Sequence, residues 1–567
     1  MGYMEEYKRW LAAPELTDAE REELRGIADD RKEIESRFYA PLAFGTAGLR
    51  GTMKVGLHHM NVYVVRQVTQ AMAELAISAG GAERGVAVAH DSRINSRKFA
   101  VEAAKVLAAN GVKVLLFDDL RPTPELSFAI RKYGCIAGIN ITASHNPREY
   151  NGYKAYWEDG AQLPPEHADT VEHAVANIDI FTGAKTCDFD EAKEKGLIKI
   201  LGAETDDAFL DCALGETIDL GPVGRMGDKL SFVYTPFHGA GYKLVPEVLR
   251  RAGFTNVVCV ASQMVPDGNF PTVASPNPEN PEGFACALET AKEHGVSLII
   301  GTDPDADRVA AMARDKSGEY HVLSGNQTGA LLLDYIINAR VRTGKMPEKP
   351  FAVKSIVSSD MATTICEKNG VKMYETFTGF KFIAERINER EAAGEHCIFS
   401  FEESIGYLIG GYCRDKDAVT ATLLIAEMAA YYAEKDMTLI DAIAALYEKY
   451  GAFCEKTINK VMPGLDGAEK MRQLMADLRA GSRPLPIPTA YIVDYQPGEK
   501  RNADGSVEKV ELHDSDVLCY GFEDGSKLLI RPSGTEPKIK FYVLARGEKM
   551  ADAEALRDTL TAYVDSL

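Results

Sequence analysis

Short apolar runs alternate with amphipathic stretches along most of this chain. The first series contains strand-like runs at 85–93 (GVAVAHDSR), 112–119 (VKVLLFDD) and 135–144 (CIAGINITAS), with a helix predicted over 97–110 and another before the last run. Apolar runs of this length, separated by helical patterns, are typical of buried parallel strands joined by crossover helices. The pattern predicts an α/β layer in this region.

Two further series repeat the pattern. The second has strand-like runs at 230–241 and 255–261 and 296–303, with helices predicted over 243–252 and near 282–294. The third begins near residue 326 and has strand candidates at 352–359 and 397–404 and a helix over 418–434. Three similar units in a row suggest a triplicated α/β domain with mostly parallel strands.

The two ends of the chain differ from this repeat. The first 40 residues are polar and helical, and Thr17 and Glu20 have the spacing of a capping box. Residues 456–490 have a helical pattern followed by SRPLPIPTA, which predicts a linker. The remaining residues are rich in strand patterns and end in a helix over 549–566, which predicts a smaller α+β domain.

We therefore predict three consecutive similar mixed α/β domains around a central cleft, followed by a smaller C-terminal α+β domain. The predicted boundaries are an N-terminal helical extension at 1–40, α/β domains at 41–210, 211–323 and 324–455, a linker at 456–490 and the C-terminal domain at 491–567.

Composition and charge narrow the class of protein. The formal net charge of −20 argues against a nonspecific nucleic-acid surface, so an anionic substrate would need a local concentration of basic residues. No two of the ten cysteines have CxxC spacing, which excludes the common zinc and redox motifs. The start, MGYMEEYKRW, lacks a signal-peptide core, and no long uncharged apolar run occurs. We expect a cytoplasmic protein with reduced cysteines and no membrane contact; nothing in the sequence indicates a protein partner.

Four polar loops follow apolar runs and are candidates for chemistry. The first is ITASHNPREYNGYK at 141–154, where Ser144 lies beside a histidine and an asparagine. Ligands bind at the carboxyl ends of strands in open α/β sheets, so Ser144 is a candidate nucleophile. A hydrogen-bonded turn without catalytic function is the alternative for this loop considered alone.

The second loop, TDPDADR at 302–308, contains Asp303, Asp305 and Asp307. If the segment is extended, these side chains point the same way and converge on one hard cation. An EF-hand is excluded, because its glycine and glutamate positions would be Arg308 and Arg314. A solvated acidic turn remains as the alternative.

The third and fourth loops fit a sugar and a phosphate. In FSFEESIGYL, at 399–408, two carboxylates and a serine are suited to accept hydrogen bonds from sugar hydroxyls. In LLIRPSGTEPKIKFYV, at 528–543, a glycine-containing turn follows Arg531, a combination that binds anions; a plain hairpin turn is the alternative.

The four loops occur in an order that resembles the α-D-phosphohexomutase superfamily. TASHNP resembles its phosphoserine loop, DPDADR its metal loop, EES its sugar loop and RPSGTEP its phosphate loop. FGTAGLRG at 44–51, TPFHGAG at 235–241, FTGFKF at 377–382 and RDKDA at 414–418 are similar to the phosphoglucomutase branch of its phosphoglucomutase/phosphomannomutase family. The resemblance extends from about residue 40 to the C-terminus.

The resemblance assigns a role to individual residues. It implies that Ser144 is phosphorylated, that His145 stabilises its loop, and that Lys154 or Arg50 handles the hydroxyl proton. Of these two, Lys154 is the better base, because a lysine can lose its proton when its pKa is lowered. It implies a Mg²⁺ site formed by Ser144 and the three aspartates. The substrate-binding residues that it implies are Arg308, Thr378, Gly379, Glu402, Ser404, Lys416, Arg531, Ser533, Gly534 and Thr535.

The reaction implied is the interconversion of glucose 1-phosphate and glucose 6-phosphate, an isomerase reaction of carbohydrate metabolism, through glucose 1,6-bisphosphate. Phosphomannomutase and phosphopentomutase activity use the same loops and remain alternatives. A simple Mg²⁺ phosphatase and a noncatalytic regulator that binds phosphosugars are alternatives from other classes. The intact Ser144, aspartates and Lys154 argue against the regulator.

Overall fold

The computed structural model describes residues 2–45, 48–462, 467–533 and 538–567. Two compact units divide the chain. The first unit contains Met1–Leu323 and Ser404–Thr438, and the second contains Ser324–Glu403 and Leu439–Leu567.

The N-terminal extension forms three helices, α1 (Tyr3–Ala12), α2 (Asp18–Arg25) and α3 (Arg31–Phe38). The predicted capping box is confirmed: the Glu20 amide donates to the Thr17 hydroxyl, and the Thr17 amide donates to the Glu20 carboxylate. These helices also bury an apolar face, with Trp10 edge-on to Tyr63 and Phe181. The extension is therefore part of the first hydrophobic core.

The first α/β domain has a six-stranded sheet in the order β1-β5-β4-β2-β3-β6. Strands β2, β3, β4 and β6 run parallel to one another. At one edge of the sheet, β5 pairs antiparallel with β4, and β1 pairs antiparallel with β5. The elements are β1 (Leu49–Thr52), α4 (Val62–Ser78), β2 (Val86–His90), α5 (Ser96–Ala109), β3 (Val114–Phe117), α6 (Thr123–Tyr133), β4 (Ala137–Ile141), β5 (Tyr150–Trp157), α7 (Pro165–Asn177), α8 (Phe189–Glu194), β6 (Ile198–Leu201) and α9 (Ala203–Gly215).

The second α/β domain has a five-stranded sheet in the order β11-β10-β9-β7-β8. Strands β8, β7 and β9 are parallel, and β10 and β11 continue the sheet antiparallel. The elements are α10 (Leu220–Met226), β7 (Phe232–Thr235), α11 (Gly241–Ala252), β8 (Val257–Cys259), a 3₁₀ turn at Pro281–Phe284, α12 (Ala285–His294), β9 (Leu298–Thr302), β10 (Val309–Arg314) and β11 (Tyr320–Val322).

The third α/β segment contributes to both units. In the second unit, β12 pairs in parallel with β13 and with β14. Strand β15 and helix α16 belong to the first unit. The elements are α13 (Gly325–Thr343), β12 (Pro350–Ser355), α14 (Asp360–Lys368), β13 (Lys372–Thr376), α15 (Phe380–Ala392), β14 (His396–Glu402), β15 (Gly406–Leu408), α16 (Ala418–Ala433) and α17 (Leu439–Tyr450).

The C-terminal domain has a seven-stranded antiparallel sheet in the order β16-β22-β21-β20-β17-β18-β19. Its elements are β16 (Ala452–Val461), α18 (Gly467–Arg479), β17 (Tyr491–Asp494), β18 (Glu499–Asn502), β19 (Val507–Lys509), β20 (Leu518–Gly521), β21 (Lys527–Pro532), β22 (Lys538–Gly547) and α19 (Met550–Ser566).

Residues 456–490 were predicted to be a linker, and the structure differs. Strand β16 pairs along its whole length with β22, and Leu474, Met475 and Leu478 of α18 are buried in the core of the C-terminal domain. Among the described residues of this region, the proline-rich segment at 482–490 has no helix or strand. The sequence pattern missed β16 because its partner strand lies about 80 residues further along the chain.

The predicted fold class of three α/β domains and a C-terminal α+β domain is confirmed. Every helix within the described ranges is too short or too polar to span a bilayer. All ten cysteines are free thiols, in agreement with the prediction.

Candidate active site

Ser144 lies in the loop after β4, buried and in a strained backbone conformation. Its φ angle is +50°, in the left-handed region that residues other than glycine rarely adopt. The Ser144 hydroxyl donates to Asp303 Oδ2 at 2.8 Å and lies 3.2 Å from His145 Nδ1. Burial, together with the charges of Arg308 and Arg50, holds the pKa of His145 well below its ordinary value. The candidate nucleophile therefore faces the aspartate loop, as the family resemblance implied.

The three aspartates lie in the turn between β9 and β10, and all are buried. Their carboxylate oxygens lie within 4.8 Å of one another. The segment is a turn instead of the extended strand that we expected: Asp303 Oδ1 accepts the amides of Asp307 and Arg308 at 3.1 and 3.0 Å. The three carboxylates converge as predicted, but they do so because the backbone forms a turn.

This cluster has the geometry to hold a hard cation. Asp305 Oδ1 and Asp307 Oδ1 have no hydrogen-bond donor among the described residues, although both atoms are buried. Buried carboxylate oxygens without a partner are unfavourable unless a cation compensates them. Oxygen ligands from carboxylates and a serine suit Mg²⁺.

Three separate elements hold the backbone of the aspartate turn. The Ala240 amide donates to the Pro304 carbonyl at 2.7 Å, the Thr123 amide to the Asp305 carbonyl at 2.8 Å and the Ala418 amide to the Ala306 carbonyl at 3.2 Å. The TPFHGAG motif thus has a structural function: a Cβ atom on Gly239 would lie 2.4 Å from the Pro304 Cα atom, so only glycine fits.

Thr123 is a site residue that sequence reasoning missed. Its hydroxyl donates to Asp305 Oδ2 at 2.8 Å and accepts from the Asn140 side-chain amide at 2.7 Å. Thr123 begins helix α6 in the first domain, far in sequence from the aspartates. No motif marks it, and the contact follows from the packing of the first two domains within the first unit.

Lys154 bridges two of the aspartates. It lies on β5, and its Nζ atom is 2.7 Å from Asp305 Oδ2 and 3.0 Å from Asp307 Oδ2. Burial lowers the pKa of Lys154, but the two carboxylates outweigh burial, so the pKa lies above its ordinary value. The lowered pKa that favoured Lys154 as a base is absent from this structure.

Lys416 also contacts the aspartate cluster. Its Nζ atom lies 3.3 Å from Asp307 Oδ2 and 2.9 Å from Asp415 Oδ1. Asp415 in turn accepts from the Tyr156 hydroxyl at 2.9 Å. Burial raises the pKa of Asp307, but Lys154, Lys416 and Arg308 lower it below its ordinary value. The resemblance implied that Lys416 binds substrate; here its ammonium group contacts a candidate metal ligand.

Two arginines complete the first-unit site. Arg50, on β1, donates to the Asn146 side-chain oxygen at 3.0 Å, so it contacts the loop of Ser144. Arg308 follows the aspartates directly and donates to the Ser404 carbonyl at 3.2 Å. Ser404 itself belongs to the first unit. Cationic side chains thus surround the serine and the aspartates, as an acidic protein with an anionic substrate requires.

The second unit carries Glu402 at the end of β14. Glu402 Oε1 accepts the Gly379 amide at 2.7 Å, which joins the EES and FTGFKF motifs. Thr378 precedes this glycine, whose φ angle of +118° lies in the left-handed region. Glu403, the second carboxylate of the EES motif, accepts from Ser355 at 3.1 Å, and burial and the charge of Glu402 raise its pKa to about 7.

Arg531 lies near the end of β21, paired with Lys540 of β22. The Ser533 amide donates to the Lys538 carbonyl at 2.8 Å, so the hydrogen bonding between the two segments continues as far as Ser533. Gly534 and Thr535, the other predicted residues of this loop, lie outside the described residues. Arg531, Ser533, Glu402 and Gly379 all belong to the second unit.

Comparison with known proteins identifies the family. The models of α/β/α domains I, II and III of phosphoglucomutase/phosphomannomutase match residues 41–180, 213–318 and 324–450. A phosphoglucomutase of Staphylococcus haemolyticus (strain JCSC1435) is 34% identical over 517 residues, covering 90% of this chain and 91% of the relative. A phosphoglucomutase of Staphylococcus aureus (strain N315) is 34% identical over 521 residues, covering 91% and 92%.

Solved structures agree at the level of the fold. The exocytosis-sensitive phosphoprotein pp63/parafusin (a phosphoglucomutase) from Paramecium, in its open form, superposes with a TM-score of 0.69 at 20% identity. The match covers 93% of this chain and 95% of that structure. With three matching domain models and full-length relatives above 30% identity, the chain belongs to the phosphoglucomutase/phosphomannomutase family.

Proposed function

We propose that this chain is a cytoplasmic phosphoglucomutase that interconverts α-D-glucose 1-phosphate and glucose 6-phosphate. The observation that carries the proposal is the hydrogen bond of 2.8 Å from the Ser144 hydroxyl to Asp303, within a cluster of three buried carboxylates. The phosphoglucomutases of Staphylococcus support glucose as the sugar, since they match along 90% of this chain.

In the proposed mechanism, Ser144 carries a phosphoryl group in the resting enzyme. The bond from Ser144 Oγ to phosphorus breaks as a bond forms between phosphorus and a hydroxyl oxygen of the sugar phosphate, giving glucose 1,6-bisphosphate. The reverse step returns the other phosphoryl group to Ser144, so phosphate is neither gained nor lost. Mg²⁺ held by Ser144, Asp303, Asp305 and Asp307 would neutralise charge on the transferred group.

The cations of the first unit have distinct proposed roles. Lys154 accepts the proton of the attacking hydroxyl as a neutral amine; its ammonium group must first leave Asp305 and Asp307, which raise its pKa, and release a proton to solvent. Arg50 and Arg308 bind the phosphoryl oxygens, and His145 stabilises the Ser144 loop. Positioning and charge neutralisation of this kind supply most of the catalysis in phosphoryl transfer.

Substrate binding is assigned to the remaining predicted residues. Glu402 and Ser404 would accept hydrogen bonds from sugar hydroxyls, and one oxygen of Glu402 is already fixed by Gly379. The phosphate that is not being transferred would bind Arg531, Ser533, Gly534 and Thr535, with Thr378 and Gly379 contributing. Lys416, in the first unit, would contact the substrate beside Asp307. A guanidinium beside a glycine-containing turn is a common phosphate site.

The test combines substrate profiling with mass spectrometry. Isomerisation is measured with glucose 1-phosphate, mannose 1-phosphate and ribose 1-phosphate in the presence of Mg²⁺ and glucose 1,6-bisphosphate, and phosphate release is measured in parallel. We expect isomerisation of glucose 1-phosphate in preference to the others, with phosphate on Ser144. Ser144→Ala should be inactive, whereas Ser482→Ala, at an exposed serine bonded to its own helix end, should be normal.

Four results would contradict the proposal. Release of free phosphate without isomerisation would identify a phosphatase, and binding without turnover would identify a regulator. A preference for mannose 1-phosphate or ribose 1-phosphate would mean that the chain is a phosphomannomutase or a phosphopentomutase. Phosphate mapped to a residue other than Ser144 would refute the assignment of the nucleophile.

A further inference from the structure

A buried arginine outside the predicted site holds the loop of the nucleophile. Arg93 follows β2, and its side chain is fully buried. Its Nη1 atom donates to the carbonyls of Pro147 at 2.9 Å and Tyr150 at 3.1 Å, and its Nη2 atom donates to those of Ser144 and Asn146. One guanidinium thus satisfies three carbonyls of the loop that follows β4 and the carbonyl of Tyr150, where β5 begins.

Asp91 extends this arrangement to the other side of Ser144. Asp91 Oδ2 lies 3.2 Å from Arg93 Nε and accepts from the Thr142 hydroxyl at 2.7 Å. The Thr142 hydroxyl then accepts the Ser144 amide at 2.9 Å. The amide and the carbonyl of Ser144 are therefore both fixed by the buried pair formed by Asp91 and Arg93.

The second domain supports the same guanidinium within the first unit. The Phe270 ring lies against Arg93, with 5.1 Å between the guanidinium carbon and the ring centroid. The segment that carries Phe270 is held by His238 of the TPFHGAG motif, whose ring nitrogens bond the Val265 carbonyl at 2.8 Å and the Thr272 hydroxyl at 2.9 Å. The motif that holds the aspartate turn through Ala240 therefore also supports Arg93.

We propose that Arg93 is a positioning residue for the phosphoryl transfer assigned to Ser144. The proposal rests on that proposed function, and Arg93 acts through the loop backbone without touching the substrate. A left-handed serine backbone is unfavourable and persists only where surrounding contacts determine it. The hydrogen bonds of Arg93 and Thr142 keep Ser144 in this conformation, with its hydroxyl on Asp303.

A purely structural ion pair is the competing explanation for Arg93, and kinetics separate the two. Arg93→Met removes the donors at similar side-chain length. We expect kcat to fall about 100-fold or more, since small displacements of reacting groups cost this much. KM for glucose 1-phosphate should change less than threefold, because substrate-binding side chains are retained. Phosphorylation of Ser144 by added glucose 1,6-bisphosphate should slow by the same factor as kcat.

Two further variants and one control distinguish a loss of positioning from a loss of folding. Arg93→Lys, which can reach only part of the carbonyls, should recover part of kcat. The double variant Asp91→Asn with Arg93→Met removes both buried charges together, so it avoids leaving one charge unpaired. Arg84→Met is the matched control, because Arg84 also donates to two backbone carbonyls, those of Gly134 and Cys135, on the side where β4 begins.

The outcomes decide between the explanations. The proposal is refuted if folded Arg93→Met keeps kcat within threefold of wild type, or if its KM rises in step with the loss of kcat. It is also refuted if both the single and the double variant fail to fold, since Arg93 would then be a folding residue. An inactive wild-type chain would instead refute the proposed function and leave no kcat to compare.

Discussion

Replacing Lys154 with methionine tests the relation between the lysine and the candidate metal site. The Lys154 ammonium donates to Asp305 Oδ2 at 2.7 Å and to Asp307 Oδ2 at 3.0 Å. These are carboxylates that would ligate Mg²⁺, so the ammonium group and the metal compete for them. Lys154→Met keeps the length of the side chain and removes the competing charge.

The hydrogen bonds set the size of the effect. A hydrogen bond to a charged group contributes about 1.5–3 kcal/mol. If Mg²⁺ must displace one of the two bonds, its binding to the variant is favoured by that amount. At about 1.4 kcal/mol per factor of ten, the variant should bind Mg²⁺ about 10- to 100-fold more tightly than the wild type.

Mutase activity and thermal stability should both fall, although the affinity for Mg²⁺ rises. We expect mutase activity to fall at least about 100-fold, the usual contribution of a positioned acid or base. Without Mg²⁺, the variant should unfold at a lower temperature, because Asp305 and Asp307 lose the cation that they share. Added Mg²⁺ should then raise the melting temperature more in the variant than in the wild type.

Titration calorimetry with Mg²⁺, thermal unfolding with and without Mg²⁺, and the coupled mutase assay measure these three quantities. Lys195→Met is the control, since Lys195 forms an exposed pair with Glu191 and should leave all three unchanged. Unchanged or weaker Mg²⁺ binding by Lys154→Met would refute competition for the carboxylates. Retained activity would refute the role of Lys154 in proton transfer.

Three further predictions follow from the site and its surroundings. Asp305→Asn should lower kcat by several orders of magnitude and abolish the rise in melting temperature on adding Mg²⁺; turnover in excess chelator would contradict this. Arg531→Ala should lower kcat/KM about 10- to 100-fold, through loss of a charge-assisted phosphate contact; a wild-type value in the same assay would mean that the loop only joins two strands. Burial raises the pKa of Glu455 from 4.5 to about 7. The folded state therefore binds this proton more tightly, and the free energy of unfolding of the wild type should fall, relative to Glu455→Gln, by up to about 3 kcal/mol as pH rises from 4.5 to 7. Urea unfolding of both proteins at pH 5 and pH 8 measures this difference in the free energy of unfolding. An equal pH dependence in the wild type and in Glu455→Gln would contradict the prediction.

The sequence by itself determined the fold class and the main chemical groups. Apolar runs alternating with helical patterns predicted the parallel strands, because buried strands need apolar residues on both faces. The pair Thr17 and Glu20 predicted its cap, because capping is a local interaction. Ser144 and the three aspartates were identifiable because each motif is a short continuous segment that places its polar side chains at the end of a strand.

The tertiary structure decided what these groups contact. Lys416 lies on Asp307, Thr123 holds Asp305 and Arg93 binds the Ser144 loop, although none of these contacts is local in the sequence. The same holds for the raised pKa of Lys154, which depends on carboxylates about 150 residues away. Propensity and periodicity report only on neighbouring residues, whereas these contacts depend on how strands and helices pack. The sequence therefore predicted candidate site residues such as Ser144 and the three aspartates, and the packing of the domains within the first unit determined how charge is shared among them.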